Sequence, residues 1–366
     1  MTNSLDWLTL SLVPGLGLAG YWRLLQTFGD PGAALRATPA ERARVPGLRA
    51  EVLASLAHAD PFRIEAEQEL VRLQAMGAGL LVHDAPGYPD LLRQTFQPPP
   101  LLFAQGRLEF LNCNAVAMVG SRAATSYGLR IAETLAAGLS AAGVVVVSGL
   151  ALGIDAAAHR GALHAGGGTI GVLGCGLDVV YPQLNKKLYD QIREKGVLVS
   201  EYPLGTRPDA FRFPARNRII AGLSRGVIVV EAARKSGSLI TAEMALDQGR
   251  EVFAVPGQID SFKSVGTHWL LQQGAKLVHS LDDILEELSG VVHPLAGETR
   301  AVDICAVDLE PEAAALLARI EPYVMGRDEL IAASGLGAAR VAELLLLLEL
   351  DGLVEIVPGG GLRRVS

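Results

Sequence analysis

The stretch Ala115-Val116-Ala117-Met118-Val119-Gly120-Ser121-Arg122 is a short apolar run closed by a glycine turn, and an apolar helical pattern from about Tyr127 to Ala142 follows it. The unit then repeats. Val144 to Val147 ends in Ser148-Gly149, a helix is predicted from about Ile154 to Leu163, and Thr169 to Leu173 ends in Gly174-Cys175-Gly176. Helix Asn185 to Lys195, strand Val197 to Ser200, helix Ala215 to Leu223, strand Val227 to Val230, helix Ser238 to Gln248 and strand Glu251 to Val255 continue it, with helices near 266–273 and 281–288. Nearly all-apolar strands alternating with helices of 10 to 15 residues predict a mostly parallel sheet covered on both faces. The fold class is α/β, an extended Rossmann-like domain over residues 73–290.

Upstream, Gly79 to His83 reads as a strand, and the prolines at 86, 89 and 98–100 bound short segments that predict extra edge strands rather than a free linker. At the start, Val13-Pro14-Gly15-Leu16-Gly17 is echoed 32 residues later by Val45-Pro46-Gly47-Leu48-Arg49, each followed by an apolar helical pattern. Residues 1–72 therefore read as a small helical domain of sterile-alpha-motif-like or helix-hairpin-helix-like type, although Arg49 replaces the second glycine in the second copy. Downstream, 291–310 lacks a period and reads as a linker. Residues 311–366 show three helices, then Leu353 to Val357, Gly359-Gly360-Gly361 and Leu362 to Val365, the pattern of a winged helix. Its third helix sets Arg340 against Glu343 and Glu349 with Leu344 to Leu348 unbroken, which suits a protein contact better than a DNA groove.

The chain has 366 residues, half of them hydrophobic, enough for a sizeable core. With 32 Lys plus Arg against 39 Asp plus Glu, its formal charge of −7 sets up no global field for polyanions, so a nucleic-acid site has to be local. Cys113, Cys175 and Cys305 lie far apart and form no Cys-x-x-Cys pair, which argues against a disulfide framework or a cysteine-rich zinc site and for a reducing cytoplasm. No basic leader and no apolar run of membrane-spanning length occur, so no membrane role is expected.

In a parallel sheet, ligands meet the loops beyond the carboxyl ends of the strands. Here those loops carry Gly120-Ser121-Arg122, Ser148-Gly149, Gly174-Cys175-Gly176 and Ser236-Gly237-Ser238, a concentration of glycine, serine and helix starts that suits a phosphate. The alternative is that strand-to-helix turns simply need glycine. Arg207 to Arg218 adds four arginines interleaved with Phe211 and Phe213. Over Tyr181 to Arg225, nine Lys or Arg stand against four Asp or Glu, a local +5, and cations beside aromatic rings are what a single-strand site requires. The competing reading puts both phenylalanines in the core and the arginines in water or in a dimer contact.

Catalytic machinery is sparse. No Gly-Lys dipeptide occurs, so a Walker A loop is absent, and Gly174-Cys175-Gly176 lacks the third glycine of the dinucleotide fingerprint. His159 and His164, five apart, do not have metal-ligand spacing and read as structural. Asp155 and Glu231 sit at strand-to-helix loops, where either is able to act as a base and Asp155 also suits helix capping. No cofactor, metal or catalytic residue is assigned.

Taken together, Val119-Gly120-Ser121-Arg122, Ser148-Gly149, Gly153-Ile154-Asp155, Tyr181-Pro182 with Asn185, Phe213-Pro214-Ala215-Arg216-Asn217-Arg218-Ile219-Ile220-Ala221-Gly222-Leu223-Ser224, Glu231-Ala232, Ser236-Gly237-Ser238 and Pro256-Gly257 resemble the DNA-processing protein A (DprA/Smf) family. The resemblance runs from about Tyr88 to Ala275. It implies a non-enzymatic mediator that binds single-stranded DNA without sequence preference and loads the RecA recombinase during natural transformation and recombination. It implies DNA contacts from Arg122 with Gly120 and Ser121, from Ser148 and Gly149, from Lys187 or its neighbour Lys186, from Phe213, Arg216, Asn217 and Arg218, and from Ser236, Gly237 and Ser238. It also implies a homodimer through the Rossmann domains, with RecA and a single-strand-binding protein as partners. The same core is similar to lysine-decarboxylase-like phosphoribohydrolases, whose motif partly survives as Ser236-Gly237-Ser238 with Thr241 and Glu243. A nucleotide-processing enzyme is therefore the alternative.

Overall fold

Runs rich in valine, isoleucine and alanine build nine strands of one sheet: β1 (Ala78–Val82), β2 (Leu101–Gly106), β3 (Ala115–Val119), β4 (Val145–Ser148), β5 (Thr169–Leu173), β6 (Val197–Ser200), β7 (Gly226–Val229), β8 (Glu251–Ala254) and β9 (Lys276–Leu277). The computed structural model describes residues 4–288, 310–320, 325–350, 353–357 and 361–364, and the chain divides into two units, Met1–Gly297 and Glu298–Ser366. In the first unit the strand order is β1-β2-β6-β5-β4-β3-β7-β8-β9. From β6 to β9 every pairing is parallel. Strands β1 and β2 add an antiparallel edge beside β6, which the sequence predicted from its proline-bounded segments.

Strands β3 to β7 are buried along their whole length, as continuous apolar runs require when helices cover both faces. The chain winds from β3 through β4 and β5 to β6 on one side, then crosses back to place β7 on the other side of β3. The strand order thus reverses between β3 and β7, and helices leaving the two strands in opposite directions open a crevice at their carboxyl ends.

One helix starts earlier than its pattern suggests. The segment predicted from Ala215 begins at Arg212 and runs to Gly222. Pro214 lies in the first turn, where a missing N–H leaves no helical hydrogen bond unmade, so proline does not delay the start. This places Phe213 inside the helix's first turn.

Six helices, Ser4–Ser11, Gly17–Phe28, Pro31–Arg36, Pro39–Arg42, Ala50–Ala57 and Asp60–Ala75, precede the sheet. Trp7, Leu24, Leu56 and Leu73 join Phe103, Ile192 and Leu198 in one apolar cluster, so the helical region and the sheet edge share a core. The two repeated hairpins face one another. Arg49 donates to the Gly15 carbonyl at 2.8 Å, and Arg23 reaches the Pro46 and Gly47 carbonyls at 3.4 Å.

The second unit has helices Pro311–Leu317, Arg327–Ser334 and Ala338–Leu350 and strands β10 (Met325–Gly326), β11 (Val354–Val357) and β12 (Gly361–Arg364), paired antiparallel in the order β10-β12-β11. Leu316, Leu330, Val341, Leu344, Leu345 and Leu348 form its core. Three helices and a small wing are the winged-helix arrangement that the sequence predicts. The linker expected over 291–310 falls almost wholly outside the described residues. Among the described residues no single helix is long and apolar enough to cross a membrane.

Candidate nucleic-acid interface

The loop after β3 carries Gly120, Ser121 and Arg122, and two features fix it. Thr125 caps the helix Ser126–Ala141 by accepting from the Gly128 N–H at 3.0 Å, while the buried Glu231 carboxylate, just beyond β7, accepts from the Thr125 N–H at 3.0 Å and from its hydroxyl. On the other side the Ile154 N–H donates to the Ser121 carbonyl at 3.2 Å. That approach needs Gly153, whose φ of +76° is in the left-handed region and whose missing Cβ leaves room for the Ser121 and Arg122 carbonyls. Glu231 is therefore occupied in holding the loop.

Beyond β4, Leu150 adopts φ +58°, a conformation a non-glycine residue holds only when its surroundings demand it. Three side chains do so. Asp155 accepts from the N–H groups of Gly149 and Ala151 at 3.1 and 3.3 Å, and the Asn185 amide donates to the carbonyls of Leu150 and Ala151 at 2.9 and 3.1 Å. Arg216, also buried, donates to the Gly149 carbonyl at 2.7 Å and to that of Val172. Burial pushes the Asp155 carboxyl above its ordinary range, against the pull of Arg216 and the two N–H groups. The N-cap position of this helix belongs to Gly153, so Asp155 braces the preceding loop instead of capping.

These loops open on a crevice of about 550 Å³ at the β3/β7 reversal, lined among others by Gly120, Arg122, Asp155, Phe213, Asn217 and Ser236. A side cavity of about 70 Å³, bounded by Gly149, Gly174, Cys175 and Tyr181, shares Arg122, Phe213 and Arg216 with it. At the join, the Tyr181 and Phe213 rings stack at 5.5 Å with 27° between their planes, and the Arg122 guanidinium lies 5.5 Å from the Phe213 ring centre. The helix Gly237–Asp247 points its first turn into the crevice, with Ser236 as its cap. Helix starts, an exposed guanidinium and a ring stack thus meet in one place.

Of the residues expected from the sequence, Gly120, Arg122, Phe213, Arg216, Asn217, Ser236, Gly237 and Ser238 line the crevice, and Gly149 lines the side cavity. Ser121 contributes its carbonyl to the loop contact, and the fully buried Ser148 spends its hydroxyl on the Met118 carbonyl at 2.6 Å. Lys186 and Lys187 open the helix after Asn185, outside both cavities. Lys186 pairs with Asp190 at 3.1 Å, whereas among the described residues no carboxylate pairs with Lys187. Arg218 pairs with Glu201, and its backbone carbonyl accepts from the Gln248 amide at 3.2 Å. Tyr181 and Asn185 stand out in the sequence only as members of a motif, and their roles emerge from the geometry; an asparagine immediately before a helix is the available signal.

Enzyme-like groups are placed differently. Glu243 is exposed and lines neither cavity. His159 is fully buried and donates from Nδ1 to the Thr169 hydroxyl, which itself donates to the Val146 carbonyl, so its Nε2 carries no proton; burial pushes its pKa down to about 3. Among the described residues no group of three His, Cys, Asp or Glu is placed to hold a metal ion.

The family model for DNA recombination-mediator protein A matches residues 79–289, and that for the DprA winged helix domain matches residues 306–360. Protein Smf of Escherichia coli is 43% identical over 304 residues, covering 82% of this chain and 81% of its own. DNA processing protein DprA of Streptococcus pneumoniae is 53% identical over 200 residues, covering 55% of this chain and 71% of its own. The solved structure of the S. pneumoniae protein superposes with a TM-score of 0.70 at 40% identity, covering 77% of this chain and 97% of that one. DNA processing protein A of Helicobacter pylori, studied for its single-stranded DNA binding mode, gives 0.54 at 32% identity, covering 59% and 97%.

Proposed function

The chain belongs to the DNA recombination-mediator protein A family, mediators rather than enzymes, and from that premise we propose that it binds single-stranded DNA at the β3/β7 crevice without sequence preference. The observation that carries this is the Arg122–Phe213–Tyr181 stack at the mouth of a crevice lined by helix starts. An exposed guanidinium neutralises phosphate, ring faces accept any base, and helix N-termini favour anions, so the arrangement supports affinity without base readout. The H. pylori relative's single-stranded DNA binding mode supports the same reading. Gly120, Arg122, Phe213, Asn217 and the Ser236 to Ser238 turn face the strand, Lys187 stands as an outlying cation, and Arg216 with Ser148 and Gly149 holds the floor.

The protein then presents the bound strand to RecA during natural transformation and recombination, as a homodimer joined through its Rossmann domains in the cytoplasm. This part rests on the family resemblance. Binding of oligothymidylate, measured by fluorescence anisotropy at several salt concentrations, tests the site: Arg122→Ala or Lys187→Ala weakens binding to every sequence and flattens the log–log salt slope by about 0.7 for each phosphate left without its cation. A double variant with unchanged affinity and slope overturns the residue assignment. RecA filament growth on protein-coated single strands, with light scattering for the oligomeric state, tests the remainder.

A further inference from the structure

A second arginine–aromatic group stands on the same carboxyl edge of the sheet, outside the crevice. Tyr202 follows β6, two residues beyond its last member Ser200. The Arg212 guanidinium lies 5.3 Å from the Tyr202 ring centre and 5.0 Å from that of Phe211. Phe211 is 64% exposed, a large apolar ring left in water at a site where the core does not need it. Among the described residues no carboxylate pairs with Arg207 or Arg212, whereas the nearby Glu201 is neutralised by Arg218. Beyond Tyr202 lies a cavity of about 270 Å³ lined, among others, by Glu201, Ser11, Leu16, Tyr21, Pro100 and Leu101.

The segment that joins the two groups is continuous. Pro208, Asp209, Ala210 and Phe213 line the crevice, and Arg212, between Ala210 and Phe213 in the chain, carries its guanidinium to the rings of Tyr202 and Phe211. Across the sheet edge the order β7-β3-β4-β5-β6 sets the Ser236 turn at one end and Tyr202 at the other. Four strand spacings of about 4.8 Å separate them, roughly 19 Å.

We infer that Phe211, Arg212 and Tyr202 form a second stacking platform for single-stranded DNA, continuing the track from the crevice across β5 and β6 toward the cavity beside the first helical hairpin. This deepens the proposed function and rests on it. The ligand is one strand of nucleic acid, with a base on the exposed Phe211 face and phosphates following Arg207 and Arg212. The acidic but neutralised Glu201 and the apolar cavity walls suit a base there better than a phosphate.

The experiment is the length dependence of oligothymidylate affinity, from about 3 to 20 nucleotides, for the wild-type chain, Phe211→Ala, Phe211→Ala with Arg212→Gln, and Arg122→Ala. Phe211 is exposed, so its truncation leaves folding intact. The platform requires that Phe211→Ala weaken the longer oligomers by about 5-fold or more, with a loss that grows with length, and that the double variant flatten the salt slope by about 0.7. A double variant that keeps the wild-type affinity at every length, while Arg122→Ala does not, overturns the platform and leaves the crevice reading standing. A wild-type chain that binds no oligomer at any length overturns the crevice reading, and the platform with it.

Discussion

Arg122 at the carboxyl edge of the sheet and Arg340 on the third helix of the C-terminal unit both stand near the start of a helix, where an anion is welcome, yet their surroundings are opposite. Among the described residues no carboxylate pairs with Arg122, and its guanidinium lies over the ring of Phe213. Arg340 is held by Glu310 and Glu312 at 2.9 Å and by Glu343 at 3.0 Å, and this pushes its pKa up further. Farther along the same helix, Leu346 and Leu347 are 57% and 45% exposed. The difference teaches that two arginines near helix starts are not equivalent: only the one without carboxylate partners is available to the phosphate contact proposed above. Of the leucine run that the sequence offers to a protein partner, Leu344, Leu345 and Leu348 are buried in the unit's own core and only Leu346 and Leu347 face outward.

The comparison breaks most decisively at the crevice. Phe213→Ala combined with Arg122→Ala removes both ring and charge, and single-strand affinity falls by about 100-fold or more on the ordinary worth of a stacked base and a neutralised phosphate; a loss under about threefold in anisotropy titrations removes the crevice from consideration. Next comes the bracing of the loop. Gly153→Ala drives a Cβ onto the Ser121 and Arg122 carbonyls at a left-handed φ, which costs on the order of 2–4 kcal/mol in urea unfolding. Asn185→Ala leaves the Leu150 and Ala151 carbonyls without their donor and costs about 1–2 kcal/mol, with weaker single-strand binding because the Ser148 to Ala151 loop relaxes.

A smaller effect follows pH. Below the ordinary imidazole value of 6.5 the unfolded chain takes up a proton that folded His159 refuses until about pH 3. Stability is therefore lost as pH falls through that window, by at most about 1.4 kcal/mol per pH unit. Asp155, raised above its ordinary 3.8, acts in the opposite sense, its contribution being lost as pH rises through its folded value. The difference between the wild type and His159→Gln isolates the histidine: the variant's urea midpoint is to be flatter from pH 6.5 to 4. The smallest effect sharpens the comparison from its other side. Arg340→Ala leaves single-strand affinity and salt slope unchanged, and a flattened slope is the outcome that would return the third helix to the DNA-contacting surface.

The repeated strand and glycine-turn pattern made the parallel sheet legible, because all-apolar strands between helices have few other solutions. The loops at strand ends were legible for the same reason. What the sequence left open was the direction each polar side chain takes. Arg216 and Arg218 sit two apart on one helix, yet one is buried beneath the crevice and the other is paired with Glu201, which lies 17 residues away in the chain. Lys186 and Lys187 are adjacent and each has Asp190 about one turn along, yet only the first pairs with it. Phe211 and Phe213 carry the same two readings in sequence, core or ligand-facing, and the helix start at Arg212 separates them, setting one in water and the other in the crevice wall. Such outcomes depend on tertiary partners that spacing along the chain does not carry.

The paired hairpins at the start of the chain bear on how this region came to differ from a plain duplication. A symmetric pair would hold glycine at position 49 as it does at position 17. The arginine there looks, in sequence, like erosion of the second copy, yet its guanidinium closes the turn of the first, while Arg23 of the first copy serves the second. Each copy has become the other's clasp. Drift in either is then answerable to its twin, and a change at Arg49 is best tolerated alongside a matching change near Gly15.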